Sequence, residues 1–234
     1  DSTLDTPAVL EQLVQAASAE GALIGGKHYP LMRSTPEFRR LRARTADFLE
    51  LLVAQAMARE LLVPPPAADA GGAPREPDGA AAPVRWLLDA FVAMASNAVR
   101  ARALRHTGTF LAFRLCDGLL RAHAAAGKDE ADALAQLDAR RGGGGGGGKK
   151  KGGAQSGGAL SSLEAAVAAK SAARASIGEL AASLFDATFP DRYRDTAAPI
   201  RQECAASLGG WIASCPSLFL DNVHLKYLGW MLSD

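Results

Sequence analysis

The stretch from Pro199 to Asp234, "PIRQECAASLGGWIASCPSLFLDNVHLKYLGWMLSD", decides the fold class because it has the pattern of two helices joined by a short turn. Pro199 suits the first turn of a helix, where its missing N–H group costs no intrahelical bond. Apolar side chains then recur every three or four residues and form one buried stripe: Ile200, Cys204, Leu208, Trp211 and Ile212. We therefore predict a helix from Pro199 to about Ser214, a turn at Cys215–Ser217 and a second helix packed on the first.

The second helix, which Asp221 or Asn222 would cap, carries large apolar side chains on two faces. At about 100° per residue the two faces consist of Leu225, Leu228 and Leu232 on one side and of Val223, Tyr227 and Trp230, beside the Lys226 stem, on the other. Such a helix is either buried on two sides or packed on one side and available to a partner on the other. We expect the leucine face to pack on the preceding helix, through Leu208 and Ile212.

Helical periodicity also dominates upstream, with no convincing alternating strand. Three helices are predicted in the first part of the chain: residues 6–20, Pro36 (capped by Thr35) to Val63, and Val84 to about Ser96. The next helix is predicted from an Asn97 cap to Ala126, and after a break at Gly127 a short helix reaches Arg141. A last upstream helix is predicted from near Ser161 to about Phe185. The helix that begins at Pro36 has one apolar stripe: Phe38, Leu41, Thr45, Phe48, Leu49 and Leu52.

Two segments have the amino-acid composition of linkers or disordered inserts between helices. Residues 64–83 are rich in Pro, Gly and Ala and predict a flexible linker. Residues 142–158, "GGGGGGGKKKGGAQSGG", predict a disordered insert, because consecutive glycines lose the most conformational entropy on ordering.

Helix pairs with short turns indicate a helix bundle or an α-solenoid. The spacing of Pro199, Ile200, Arg201 and Cys204 resembles the first helix of a HEAT unit, although no clean repeat period recurs along the chain. The prediction is an all-α, HEAT-like α-solenoid of antiparallel helix pairs with a disordered Gly-rich insert.

Composition excludes several functional classes. The net charge of +1 favours no particular partner, so any contact with nucleic acid needs a local basic patch. No apolar run approaches the ~20 residues of a membrane helix, so we expect no membrane partner. Cys116, Cys204 and Cys215 have the pattern of core residues in a reducing compartment. The acidic start without an initiator Met indicates a piece of a longer protein.

No catalytic pattern is found. The glycines before Lys27 and His28 lack the spacing of a phosphate loop, and no nucleophile elbow or zinc pattern occurs. The histidines are far apart and lack a carboxylate at ligand spacing: His28, His106, His123 and His224. We expect no enzymatic activity, no metal and no cofactor.

Two basic groups stand out against the neutral total. The first, at the start of the second helix, consists of Arg33, Arg39, Arg40, Arg42 and Arg44 around one acid, Glu37. The second consists of Arg100, Arg102, Arg105 and His106. Each is either a solvated helix face or a sequence-independent contact to a few phosphates of DNA or RNA.

Three segments together resemble one family. They are "VRARALRHTGTFLAF" (Val99–Phe113), "DRYRDTAAPIRQECAASLGGW" (Asp191–Trp211) and "LFLDNVHLKYLGWMLSD" (Leu218–Asp234), and they look like the stromalins, the stromal-antigen (STAG) subunits of cohesin. The carrying motifs are R-H-T-x-T at Arg105–Thr109, R-Y-R-D at Arg192–Asp195 and L-K-Y-x-G-W at Leu225–Trp230. "HYPLMRSTPEFRRLRARTADFLE" fits the family's tyrosine-proline and basic-helix pattern.

The resemblance implies a hook-shaped α-solenoid and a nuclear, chromatin-associated, non-enzymatic subunit that binds kleisin and DNA and supports sister-chromatid cohesion. It divides the chain into a STAG-like helical region (1–126), a low-complexity insert (127–160), the remnant of a helical projection (161–190) and the start of the stromalin conservative domain (191–234). The projection is shorter here than in the family.

The resemblance also implies two sites. Arg39 and Arg40 match a lysine pair that contacts DNA in the family, and Arg42 and Arg44 extend the basic rows. The other site holds peptides with two aromatic residues and an acid, from regulators carrying Phe/Tyr-x-Phe-type motifs. Its residues map to Tyr193, Arg194, Asp221, Asn222, Lys226, Tyr227 and Trp230. Asn222 departs from the family, which tends to have an acid there.

Three alternatives remain open at this point. The chain could be a HEAT-type, protein-only adaptor unrelated to cohesin, whose DNA retention would not fall steeply with salt. An enzyme would need a pocket that the sequence does not show. Trp230 could pack against a later solenoid helix instead of binding a peptide.

Overall fold

The computed structural model describes residues 29–59, 61–62, 82–142 and 153–232, together with five residues between positions 8 and 15. A 3-10 turn at Pro30–Met32 precedes seven helices: α1 (Pro36–Ala58), α2 (Ala82–Ala95), α3 (Arg102–Gly142), α4 (Gly153–Arg192), α5 (Ala198–Ser214), α6 (Pro216–Phe219) and α7 (Asn222–Met231). The described part of the chain contains no strand. The predicted all-α class is confirmed. The predicted helix over 6–20, the linker 64–83 and the centre of the glycine-rich insert fall mostly outside the described residues.

The two longest helices, α3 and α4, form an antiparallel hairpin that is held together along its length. Near the tip, Arg141 Nη2 lies 2.6 Å from Glu164 Oε1, and halfway down, Arg174 Nη1 lies 3.0 Å from Glu130 Oε2. At the base, Arg105 of α3 meets Asp195 just beyond α4. The predicted antiparallel pairing is therefore set by contacts at both ends and in the middle.

The predicted break at Gly127 is wrong, because α3 runs through it to Gly142. A Cβ at this position would lie 3.3 Å from Arg174 Nε, so α4 packs closely on the glycine. Glycine inside a helix costs about 1 kcal/mol relative to alanine. Packing along the hairpin offsets that local cost.

Four other boundaries differ from prediction. Helix α1 ends at Ala58 rather than Val63, and α3 begins at Arg102 rather than after an Asn97 cap. Helix α4 begins at Gly153, so part of the segment predicted to be disordered is helical, and it continues past Phe185 to Arg192. Pro190 lies in the last turn of α4, so the intrahelical hydrogen bond that proline cannot donate is lost only two residues before the helix ends.

The core lies around α3, which contacts α1, α2, α4 and α5. Its centre is an aromatic cluster in which Phe113 stacks on Phe189 (5.9 Å between centroids) and meets Trp211 edge-on (5.1 Å). Trp211 Nε1 donates to Asp117 Oδ1 at 2.6 Å, which satisfies the buried indole. The three cysteines are free and buried, as predicted for core residues.

The predicted apolar stripes are only partly buried. Leu41 and Phe48 are 48% and 62% exposed, because α1 instead buries the face that consists of Leu49, Val53 and Ala56. On α7, Leu225 and Leu232 are 40% and 88% exposed, so the prediction that the leucine face packs on α5 is wrong for both. Tyr227, Leu228 and Met231 pack against the core instead.

Candidate interaction surface

Two of the sequence motifs meet in space at the base of the α3–α4 hairpin. The guanidinium of Arg105 donates to both carboxylate oxygens of Asp195, with Nε–Oδ2 at 3.0 Å and Nη2–Oδ1 at 3.1 Å. Its third nitrogen, Nη1, donates to the carbonyls of Val99 (3.0 Å) and Arg100 (2.9 Å). Arg105 therefore ties the loop before α3 to the loop after α4.

Arg192 completes this cluster from inside the molecule. It is buried and donates to Asp195 and to Asn97 Oδ1. Burial alone would raise the pKa of Asp195, but hydrogen bonds from Arg105 and from the Ala197 N–H, with the two arginine charges, hold it below its ordinary value. We call Asn97, Arg105, Arg192 and Asp195 the motif junction. Both arginines bond groups within the fold, namely Asp195, Asn97 and two backbone carbonyls, so the junction serves structure.

His106, next to Arg105, is also an interior residue. Its Nδ1 lies 2.8 Å from the Tyr29 hydroxyl, and the ring is only 2% exposed. Burial lowers the pKa of His106 to about 4, so the ring is neutral at physiological pH. The second basic group predicted from the sequence is therefore not an exposed patch, because Arg105 and His106 belong to the interior.

The other half of the R-Y-R-D motif faces outward and meets α7. Tyr193 lies against Tyr227 (4.9 Å between centroids, 70°) and stacks on Trp230 (5.9 Å, 26°). The two tyrosines are partly buried, whereas Trp230 is 56% exposed. We call Tyr193, Tyr227 and Trp230 the aromatic shelf. It brings together the three aromatic residues predicted for peptide binding.

The shelf is supported from behind by two phenylalanines of α4. Phe189 stacks parallel to Tyr193 at 6.3 Å and meets Tyr227 edge-on at 5.2 Å. Phe185 contacts Tyr227 at 5.8 Å and His224 at 4.7 Å. This supporting role was not predicted, since the helix was expected to end at about Phe185 and it continues to Arg192. The rings of the shelf are thus held by the core on one side and open on the other.

One arginine lies at the edge of the shelf, and two polar residues predicted for the same site are exposed. The Arg194 guanidinium lies 5.2 Å above the Tyr193 ring, on an exposed side chain. Asn222 and Lys226 of α7 are also exposed. An aromatic surface with a cation at its rim can accept an aromatic side chain and a neighbouring carboxylate from the same ligand.

Asp221 is engaged as the N-cap of α7. Its Oδ1 accepts from the backbone N–H groups of Val223 and His224, both at 2.9 Å, and lies 2.8 Å from His224 Nδ1. The cap prediction is confirmed, but the expectation that no histidine has a carboxylate nearby is wrong for His224. The backbone hydrogen bond from His224 is the main reason that the pKa of Asp221 falls below its ordinary value. This carboxylate positions the start of α7, next to the shelf.

The basic residues of α1 divide into two kinds. Arg39, Arg40 and Arg44 are exposed. Arg42 instead lies over the Phe110 ring (4.7 Å) and donates to Glu203 Oε2 at 2.7 Å. Arg42 therefore joins α1 to α3 and α5, which leaves three arginines of the predicted set on the open face of the helix.

Within the described residues, no three His, Cys, Asp or Glu side chains come together as a metal site would require. None of the described helices has both the length and the apolar composition of a membrane span.

Comparison with known proteins identifies two matching domain families. The STAG domain matches residues 27–151, more than half of the chain, and the stromalin conservative domain matches residues 194–234. The first match contains the basic helix α1, and the second contains most of the aromatic shelf.

Individual relatives agree with these matches. "Sister-chromatid cohesion protein 3" of Arabidopsis thaliana is 48% identical over 59 residues, which are 25% of this chain and 5% of that protein. "Cohesin subunit SA-3" of Homo sapiens is 26% identical over 206 residues, which are 88% of this chain and 15% of that protein. The solved structure of cohesin subunit Scc3 from Z. rouxii matches all of this chain and 30% of its own with a TM-score of 0.65 at 17% identity, which shows a shared helical solenoid fold. The chain thus spans a small part of each relative.

Proposed function

We propose, from the premise that the chain belongs to the STAG-domain family of stromalins, that it acts as a non-enzymatic scaffold of cohesin which docks short peptides on the aromatic shelf. The observation that carries the proposal is the exposure of Trp230, at 56%, beside two tyrosines that the core holds in place. A tryptophan that stabilised only its own domain would gain most from burial. Rings held on one side and open on the other suit an aromatic anchor.

The chemistry of the rim selects the ligand. Arg194, over the Tyr193 ring, and Lys226, four residues before Trp230 on α7, bring positive charge to the region of the aromatic rings. A peptide with two aromatic residues and an acid, of the Phe/Tyr-x-Phe type, matches both features. Asn222, which carries no charge, neither attracts nor repels such a ligand strongly.

Calorimetric titration of a Phe-x-Phe peptide with an adjacent acid tests this proposal. Trp230→Ala should weaken the affinity by about 2 kcal/mol or more, since truncation of an anchor residue costs this much at an interface. Leu232→Ala, on the same helix at an 88% exposed position, is the matched control and should leave the affinity unchanged. Equal affinities for the folded Trp230→Ala variant and the unaltered chain would overturn the proposal.

We propose DNA contact as a second function, on Arg39, Arg40 and Arg44 of α1. Their exposure supports it, as does the single acid, Glu37, in the first turn of the helix. Three arginines would neutralise about three phosphates, so the logarithm of the affinity should fall with the logarithm of salt at a slope near −3. This contact would not depend on DNA sequence.

Retention of a short duplex at increasing salt tests this second function. Replacement of the three arginines by serine should abolish most of the salt slope, whereas Arg140→Ser on α3, also exposed, should leave it unchanged. Absence of any salt-dependent retention by the unaltered chain would favour the protein-only adaptor unrelated to cohesin.

Membership of the family also supports binding to the kleisin subunit, a chromatin-associated location in the nucleus and a role in sister-chromatid cohesion. Co-purification of the full-length protein with a kleisin fragment tests this assignment. Loss of the kleisin under conditions where the subunit stays folded would contradict it.

A further inference from the structure

The threonine that precedes α1 presents an available hydroxyl. Thr35 occupies the N-cap position with an extended backbone (φ −66°, ψ 153°), yet its side chain makes no capping hydrogen bond to the helix. The residue is exposed, as is Ser34 before it. A threonine at an N-cap commonly bonds a backbone N–H group of the first turn. Here the hydroxyl is left accessible to solvent.

The sequence around this hydroxyl is "RSTPEFRR", Arg33–Arg40. Pro36 follows Thr35 directly, and a residue before proline is held in the extended region. Protein kinases bind their substrate segments in an extended form, and proline-directed kinases require proline immediately after the acceptor. The other Thr-Pro pair in this sequence, Thr6–Pro7, lies in a segment without Lys or Arg, residues 1–26, whereas Thr35 lies among arginines.

We propose that Thr35 is a phosphorylation site for a proline-directed protein kinase and that its phosphate weakens DNA binding by the basic face of α1, which consists of Arg39, Arg40 and Arg44. In the reaction, the Thr35 oxygen attacks the γ-phosphorus of Mg·ATP and forms the new P–O bond. The bond from the γ-phosphorus to the bridging oxygen breaks and ADP leaves. The hydroxyl proton passes to the catalytic base of the kinase.

The phosphate would act on its immediate neighbours. Arg39 lies one helical turn after Thr35, and its backbone N–H bonds the Thr35 carbonyl at 3.1 Å. Residues four apart share a helix face, so a phosphate on Thr35 lies within reach of the Arg39 side chain. It adds a charge of about −1.5 to −2 and favours the N-terminal end of a helix. Together with Glu37 it would place a charge of about −2.5 to −3 beside the two positive charges of Arg39 and Arg40, which more than offsets them.

The acceptor site is tested by incubating the full chain with a proline-directed kinase and Mg·ATP, followed by tandem mass spectrometry. The expected result is a phosphate on Thr35 that is absent from Thr35→Val and strongly reduced in Pro36→Ala, while Ser34→Ala is phosphorylated like the unaltered chain. Phosphate on Ser34 in place of Thr35, or none in this segment, would overturn the assignment.

The switch rests on the proposed DNA contact, so it has its own readout. Phosphorylated chain should retain a DNA duplex about tenfold more weakly at low salt, with a salt slope reduced by about 1 to 2. Thr35→Val treated with kinase should bind like untreated chain. Equal affinity with and without the Thr35 phosphate would overturn the switch, whereas absent binding in both forms would overturn the DNA contact itself and leave the acceptor site standing.

Discussion

The motif junction and the aromatic shelf both take residues from one four-residue segment, Arg192–Asp195, yet these residues differ in burial and in their partners. Arg192 and Asp195 point inward and satisfy each other's charge. Tyr193 and Arg194 point outward, towards Trp230 and solvent. A single sequence motif can therefore supply both interior and surface residues. Changes at the junction should cost stability, and changes on the shelf should cost affinity.

The largest effect should come from Asp195→Asn, which keeps the size of the side chain and removes its charge. Two buried or partly buried arginines, Arg105 and Arg192, would then lack their counter-ion. Breaking a buried ion pair costs about 3–5 kcal/mol. Urea denaturation should show this loss, and Asp191→Asn, four residues earlier and exposed, should show almost none. Similar losses of stability for both variants would contradict the conclusion that the buried ion pairs of Asp195 stabilise the fold.

The second largest effect should be a pH dependence of stability that comes from His106, next to Arg105 of the motif junction, and not from the aromatic shelf. Since the pKa of His106 is lowered to about 4 in the fold, the unfolded chain takes up a proton below about pH 6.5 that the folded chain does not. Stability should therefore fall as the pH drops from 6.5 to 4, by about 3 kcal/mol at most.

The lowered pKa of Asp195 acts in a separate, more acidic window. Its stabilisation is complete above the unfolded value, near 3.9, and is lost as the pH falls through the folded value. Unfolding titrations at a series of pH values should resolve the two windows. His106→Gln should reduce the fall in the upper window only, where His123, whose pKa burial also lowers, still contributes. A profile that this variant leaves unaltered would contradict the assignment.

A smaller loss of stability is expected for Gly108→Ala, within the R-H-T-x-T motif. The new Cβ would lie 2.6 Å from Met94 Cβ and 2.7 Å from the backbone nitrogen of Ala95, so α2 and α3 would have to separate. Overpacking of this kind costs about 1–3 kcal/mol. Gly210→Ala, where nothing lies within 4 Å of the new Cβ, should instead stabilise α5 slightly. Thermal unfolding of both variants distinguishes close packing from helix propensity.

The smallest effect on stability is expected on the shelf. Trp230→Ala removes two ring contacts, with Tyr193 and Tyr227, at a 56% exposed position and should lower the free energy of unfolding by about 1 kcal/mol. Trp211→Ala, which empties a site that is 2% exposed, should cost about 3–5 kcal/mol. A comparable loss at both tryptophans would show that the shelf is part of the core.

Local signals in the sequence were sufficient to predict where a helix begins when one capping residue or proline determines its first turn. Asp221 caps α7 as predicted, and α5 runs over Ala198–Ser214, one residue from its predicted start. Prediction failed where tertiary contacts override local preference. Helix α3 passes through Gly127 because α4 packs on it, and α1 turns Phe48 outward because another of its faces meets α3.

For the candidate peptide site, the resemblance grouped aromatic residues that are neighbours in the fold, but the sequence did not separate exposed charged residues from engaged ones. The resemblance named Tyr193, Tyr227 and Trp230 together, and the three rings are in contact. Spacing alone could not separate Arg42, which bonds Glu203 across 161 residues of chain, from the exposed arginines beside it. Such a partner is visible only once α1 and α5 are brought together.

The antiparallel hairpin has a consequence for how the chain could be divided. Ion pairs join α3 to α4 near the tip and midway, and the motif junction closes the base. The peptide connection between Gly142 and Gly153 then contributes mainly proximity, by raising the effective concentration of one helix near the other. Two fragments separated within residues 143–152 and mixed should reassemble by complementation, and the reunited halves would regain the surface around Trp230.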